Sequence, residues 1–208
     1  MFEPLSLAAP LIFFALNVLT PGPNVLNTIG TALGSGRTAA YGCAAACAIG
    51  VLGWAAAALL GAGALFAAVP ELRDGLTAIG ALVLIYFAYR YLRRALGRSD
   101  AVQRIDGVTP RGAFSQALLV LATNPKALTT WIALLSIFPQ ISVSWVSMAA
   151  FGLGCAAVAG GGHAVYATVF STSHAARIYA KASRPVNGLV GVGFTIYAVK
   201  LLAGVAGY

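Results

Sequence analysis

Between Pro4 and Gly36 the chain carries no charged side chain, a stretch longer than the roughly 20 apolar residues that a helix needs to cross a hydrocarbon core, yet its middle reads Thr20-Pro21-Gly22-Pro23-Asn24. Two prolines around a glycine cannot continue a helix, because proline lacks the amide hydrogen and clashes with the preceding turn. Broken backbone at bilayer depth is tolerated only where it is buried in protein or lines a cavity that something polar enters. A second interruption, Thr123-Asn124-Pro125-Lys126, follows one hundred residues later, Asn24 to Asn124, in a chain of 208 residues. The two positions suggest a duplicated unit.

The rest of the composition fits a lipid solvent. Hydrophobic residues make up 60% of the chain and charged ones 9%, against about a quarter charged in a soluble domain. Two more uncharged runs, Thr38 to Pro70 and Ala127 to Ala176, exceed a membrane crossing, and the second must hold more than one. The expectation is an all-α integral membrane protein with six transmembrane helices, at about 5–24 with a broken end continuing toward Gly34, then 39–68, 75–96, 112–138, 143–172 and 185–206, with Pro185 opening the last. Three spans per half is an odd number, so the two halves, 1–104 and 105–208, would enter the membrane from opposite sides. The result is a 3+3 inverted repeat with broken first and fourth helices in a single transmembrane domain, a plan in which substrate sits where the breaks meet.

A formal charge of +8 in a soluble protein would point to nucleic acid, but here the basic residues cluster in the connections and set orientation instead. The first, third and fifth connections with their adjoining helix ends hold ten Lys and Arg: Arg37; Arg90, Arg93, Arg94, Arg98, Arg104, Arg111; Arg177, Lys181, Arg184. The opposite side has Arg73 and Lys200. The positive-inside rule therefore places both termini outside the cytoplasm. Only Glu3 precedes the first apolar run, with no basic residue, so a cleaved signal peptide is not expected. Cys43, Cys47 and Cys155 lie in apolar runs without metal-binding neighbours and read as reduced packing residues, with no metal or cofactor expected.

The breaks carry the chemistry. Pro21 and Pro23 deprive carbonyls of the first span of their donors, and those oxygens suit a cation. Where the helix resumes near Asn24, unpaired N–H groups suit a carboxylate. An amino acid carries both groups. The other reading is that the first span ends at the interface with Asn24 as a helix cap. Lys126 is separated from the nearest charges by fourteen uncharged residues on one side and fifty on the other. A central lysine costs roughly 2.5–3.5 kcal/mol to insert, so it should face the bundle interior and find a partner. All five carboxylates, Glu3, Glu71, Asp74, Asp100 and Asp106, lie at ends or in loops, leaving backbone carbonyls, water or an anionic substrate; the alternative is that Lys126 snorkels to an interface. His163, beside Gly160-Gly161-Gly162, is either a proton carrier or a neutral histidine bonded across helices. Small residues at Gly30/Gly34 and at Gly42/Ala46/Gly50 suit close packing, within a protomer or in a homodimer. Trp54, Trp131 and Trp145 read as packing or interface anchors.

Taken together, the span count, Thr-Pro-Gly-Pro-Asn at 20–24 and Asn124-Pro125-Lys126 resemble the lysine exporter and homoserine/threonine resistance family, the LysE/RhtB-type amino-acid exporters. The resemblance covers the whole chain. It implies efflux of an amino acid or close derivative across the bacterial inner membrane, coupled to protons as an antiporter, with Thr20, Pro21, Gly22, Pro23, Asn24, Asn124, Pro125 and Lys126 as the translocation site. Exporters of lysine or arginine should offer the extra charge an acidic partner, and none lies between Thr38 and Ala68; a neutral amino acid is expected. The missing acids leave His163 as the proton-carrier candidate. An intramembrane enzyme would need paired carboxylates, a His/Glu metal spacing or a serine with a base, and the sequence has none; a structural or assembly subunit, its breaks packed dry, is the other alternative.

Overall fold

The computed structural model describes residues 7–20, 22–68, 72–97, 103–138, 141 and 144–205. Among these residues the chain forms eight α-helices and no strand: α1 (Ala8–Val18), α2 (Pro23–Gly34), α3 (Arg37–Ala68), α4 (Leu72–Leu96), α5 (Pro110–Ala122), α6 (Pro125–Ile137), α7 (Trp145–Val169) and α8 (Ser173–Val205). Each expected break divides a helix in two. α1 and α2 meet at 56°, and α5 and α6 at 54°. The second halves both begin with proline at the first helical position, where the missing amide would have had no intrahelical acceptor. The segments within α3 (Arg37–Ala58) and α7 are long and apolar enough to cross a membrane, and the number rises to four if each bent pair is one span.

The start of the last helix departs from expectation. Pro185 does not open it: α8 runs unbroken from Ser173, with Pro185 inside, so Arg177, Lys181 and Arg184 lie on helix rather than in a connection. Arg184 has a structural task there, donating from Nε to the Ala95 carbonyl at 3.0 Å and from Nη2 to the Leu96 carbonyl at 3.4 Å. These are last-turn acceptors of α4 that its own helix cannot satisfy.

Small residues set how closely the helices approach. A Cβ on Gly42 would strike the Pro110 carbonyl of α5, and one on Gly50 would lie 2.5 Å from Leu121, so this stripe seats α5 on α3 within the chain. Gly160 faces Ala48 of α3 at 2.9 Å, and Gly162 is covered by Leu19. The Gly30/Gly34 stripe has a different use from the helix packing expected of it. It receives backbone of residues 103–108, where Ile105 N donates to the Gly30 carbonyl at 3.0 Å, Ser35 Oγ donates to the Ile105 carbonyl at 2.7 Å, and Val108 N donates to Ser35 Oγ at 2.9 Å. A loop crossing a helix must satisfy its own polar backbone, and only glycine lets it come near enough to do so. Both stripes are occupied within the protomer.

The aromatic core converges on the first break. Phe194 of α8 lies 5.5 Å from Phe13 of α1, 5.8 Å from Phe87 and 5.6 Å from Tyr91 of α4, while Trp131 of α6 joins Phe14 at 6.0 Å to Phe151 at 6.1 Å. Trp131 is thus a packing residue, whereas Trp145 is exposed at the start of α7. In lipid such contacts compete with apolar solvent, so fit rather than dehydration holds the bundle. Gly34→Val should push residues 103–108 off α2 and lower the thermal unfolding midpoint in detergent, at a cost of about 1–3 kcal/mol. Gly53→Ala, which meets nothing within 4 Å, should leave the midpoint unchanged.

Candidate functional site

The breaks touch through Lys126. As the second residue of α6, its ammonium stands where the dipole of its own helix disfavours a positive charge. It turns instead to the end of α1, donating to the Asn17 carbonyl at 2.6 Å, the Thr20 carbonyl at 3.3 Å and Thr20 Oγ1 at 3.4 Å. Those are carbonyls at the end of α1, where Asn17 O receives a 3.3 Å bond from Thr20 N in place of a regular helical partner, and a cation at a helix C-terminus is favourable. Gly22 keeps the space clear, since a Cβ there would sit 3.3 Å from Nζ. Lys126 therefore does not snorkel. Its partners are the backbone carbonyls that the sequence left open as one possibility.

Polar side chains brace this contact. Thr20 donates to the Asn17 carbonyl at 2.6 Å and shares a short hydrogen bond with the Tyr91 hydroxyl. The Tyr91 ring also lies 5.4 Å beneath the ammonium, a cation–π arrangement. Asn124 is the N-cap of α6, accepting from Lys126 N at 3.0 Å, and Thr130 Oγ1 donates to the Lys126 carbonyl at 2.5 Å. The two half-helices begin differently. α2 starts from Gly22 with no side-chain cap, so the Asn24 and Val25 amides lack intrahelical acceptors, and Asn24 is not the cap that the alternative reading required.

A cavity of about 30 Å³ open to the centre of a water molecule lies beside Lys126, with Asn17, Asn24 and Lys126 among its polar lining and Phe14, Trp54 and Trp131 among its apolar walls. That volume admits water. Asn17 Nδ2 and Asn24 Oδ1 are buried without a hydrogen-bond partner among the described residues, a donor and an acceptor that a polar guest would satisfy.

His163 of α7 is fully buried. Its Nδ1 is 2.8 Å from Thr28 Oγ1, which donates to the Asn24 carbonyl at 3.0 Å. The hydroxyl has one proton and spends it on that carbonyl, so Nδ1–H donates to Thr28 and Nε2 keeps a bare lone pair. Nε2 has no partner among the described residues. Tyr166, three residues on, donates a short hydrogen bond to the Leu19 carbonyl, tying α7 to the same break.

This geometry joins two broken helices at a charged contact beside a cavity, and the comparison with known proteins gives it a class. The family model of the LysE type translocators matches residues 15–204. The chain belongs to that family. It is a multi-pass membrane transporter and not an enzyme. Two similar curated relatives are the threonine efflux proteins of Salmonella typhi and of Salmonella typhimurium, each 26% identical over 192 residues that cover 89% of this chain and 91% of theirs. No solved structure matches it.

Of the residues that the sequence singled out in this translocator, the structure brings Thr20, Gly22, Asn24, Asn124 and Lys126 together. Pro23 and Pro125 open the two half-helices, and Pro21 lies outside the described residues. Among the described residues His163 is linked to the group by its hydrogen bond to Thr28 and its ring contact with Tyr166. Sequence reasoning missed Asn17, Thr28 and Tyr91. Asn17 had a signal, a carboxamide in an otherwise apolar helix; nothing in the chain separates Tyr91 from Tyr86 and Tyr89. Asn124→Ala should cost about 1 kcal/mol through the lost cap, read as a lower thermal unfolding midpoint in detergent, and Asn124→Ser, which keeps an oxygen there, should cost less.

Proposed function

We propose that this translocator is a secondary transporter exporting a neutral amino acid or close derivative across the bacterial inner membrane as a proton antiporter, by alternating access around the breaks at 20–24 and 123–126. The observation that carries the reading is the Lys126 ammonium seated on the Asn17 and Thr20 carbonyls. These oxygens suit any ammonium, including the α-ammonium of a substrate. Lys126, once displaced, and the uncapped amides of Asn24 and Val25 then suit its carboxylate. The lysine holds the seat when no substrate does.

The order bent pair, long helix, long helix occurs twice. On this reading it is the 3+3 inverted repeat of six spans, with α4 and α8 closing the two halves, and the similar bends of 56° and 54° support it. The ten basic residues assign the ends of α2 and α4 and the starts of α3 and α5 to the cytoplasm, and both termini to the periplasm. Neutral cargo follows from the lack of acids in the spans and from the apolar walls Phe14, Trp54 and Trp131, and the efflux of threonine by the relatives agrees with it. Proton coupling falls to His163, whose bare Nε2 can take a proton while Nδ1 keeps its link through Thr28 to the first turn of α2.

Purified protein in liposomes, with L-threonine inside and an imposed proton gradient, tests this. Wild type should move threonine against its gradient. Lys126→Ala, inserted to the same level, should lose at least about 90% of transport; full transport by that variant would remove Lys126 from the site. His163→Ala should keep threonine exchange across the membrane and lose gradient-driven accumulation. Loss of both activities together would leave His163 a packing residue.

A further inference from the structure

Lys126 also borders a second cavity, of about 60 Å³ open to the centre of a water molecule, together with Pro23, Arg90, Tyr91, Arg94 and Asn124. Lys126 and Asn124 are the wall that it shares with the cavity described above. Their other walls differ: the first takes residues of α1, α3 and α6 such as Phe14, Trp54 and Trp131, and the second takes Phe87, Arg90, Tyr91 and Arg94 from the last turns of α4.

The second cavity is cationic in a way that the contacts of Lys126 do not explain. Arg90 and Arg94 stand one turn apart on the same helix face, and Lys126 makes a third positive group. Arg90 is held in place by Tyr86, to whose hydroxyl Nη1 donates at 3.0 Å and whose ring it covers at 5.6 Å. Among the described residues lining the cavity none is a carboxylate. Three like charges around one small space repel each other most where water is scarce. A planar carboxylate relieves that repulsion, and the fork of a guanidinium matches its two oxygens.

We propose that Arg90 and Arg94 form an entry site for the carboxylate of the departing amino acid. From there the carboxylate draws the Lys126 ammonium off Asn17 and Thr20, and the freed oxygens take the α-ammonium. The substrate thus opens its own passage, and only a molecule with both charges completes the exchange. The cavity lies toward the end of α4 that the positive-inside count assigns to the cytoplasm, the face at which an exporter loads. This rests on the amino-acid exporter reading and adds to it a second, separate anion-binding element.

Ligand-induced thermal stabilisation of the full chain in detergent tests it with two probes: L-threonine, which has both charges, and N-acetyl-L-threonine, which keeps only the carboxylate. Both should stabilise wild type. Arg90→Gln with Arg94→Gln should raise the half-saturating concentration of both probes at least about tenfold, and Arg90→Lys with Arg94→Lys, which keeps the charges but not the forks, should recover part of that loss. As a check on unaltered protein, L-threonine should slow modification of Arg94 by phenylglyoxal, read by peptide mass spectrometry. Unchanged half-saturation in the glutamine variant, equal loss in the lysine variant, no stabilisation of wild type by either probe, or unprotected Arg94 would each overturn the entry site. Arginine-dependent stabilisation by N-acetyl-L-threonine without any by L-threonine would keep the anion site and count against the amino-acid exporter reading.

Discussion

The ammonium of Lys126 against the end of α1 is the contact on which the rest of the structure depends. A lysine in mid-span costs roughly 2.5–3.5 kcal/mol, and a hydrogen bond to a charged group returns about 1.5–3 kcal/mol. Lys126 donates to the Asn17 carbonyl at 2.6 Å and makes two longer contacts with Thr20, so gain and cost are of similar size. A contact so balanced holds the two breaks together without locking them. Under the proposed alternating access that suits a part which opens on every cycle, because a guest needs to supply only a modest difference in free energy to shift the population.

What the sequence revealed, and what it hid, follows from the range of the forces involved. Both breaks were legible because proline acts on its own helix, whatever surrounds it; Pro23 and Pro125 each open a half-helix as their covalent chemistry requires. Lys126 was legible because charge is rare in lipid, and its inward direction followed from the cost of exposing it. Its acceptors could be given only as a class, since which carbonyls lie within reach is a tertiary fact. Tyr91 was illegible for the same reason, its role fixed by Phe194 packing and by proximity to Thr20. Pro185 misled because proline in a soluble helix interior is a strong terminator, whereas a helix in a membrane bundle can carry one. The Gly30/Gly34 stripe was read as helix packing because spacing alone does not distinguish a helix partner from a loop laid across the same face.

That loop changes how the bundle is expected to move. Residues 103–108 bond to α2 at Gly30 and Ser35 and pass directly into α5, whose first helical residue is Pro110. Gln116 of α5 adds a bond to Asn27 of α2 at 3.1 Å. The two half-helices that run from the breaks toward this face are therefore joined by backbone contacts as well as side chains. Hydrogen-bonded backbone transmits displacement better than apolar side chains, which slide past one another at little cost in lipid. Rotation of α2 about its proline should carry the start of α5 with it.

The breaks themselves are unequal in a way that matters for binding. Asn124 closes the N-terminus of α6 on itself, while the N-terminus of α2 has no side-chain cap and faces a cavity with an unpartnered Asn24 oxygen beside it. The two breaks bring two proline-led helix ends together, but a zwitterion needs one positive and one negative seat. Capping one end and supplying it with a lysine while leaving the other bare turns two similar ends into a polar site. Cations gather where α4 borders Lys126, and the uncapped start of α2 with its apolar neighbours borders the other cavity, so under the proposed function the two charges of a substrate meet different walls.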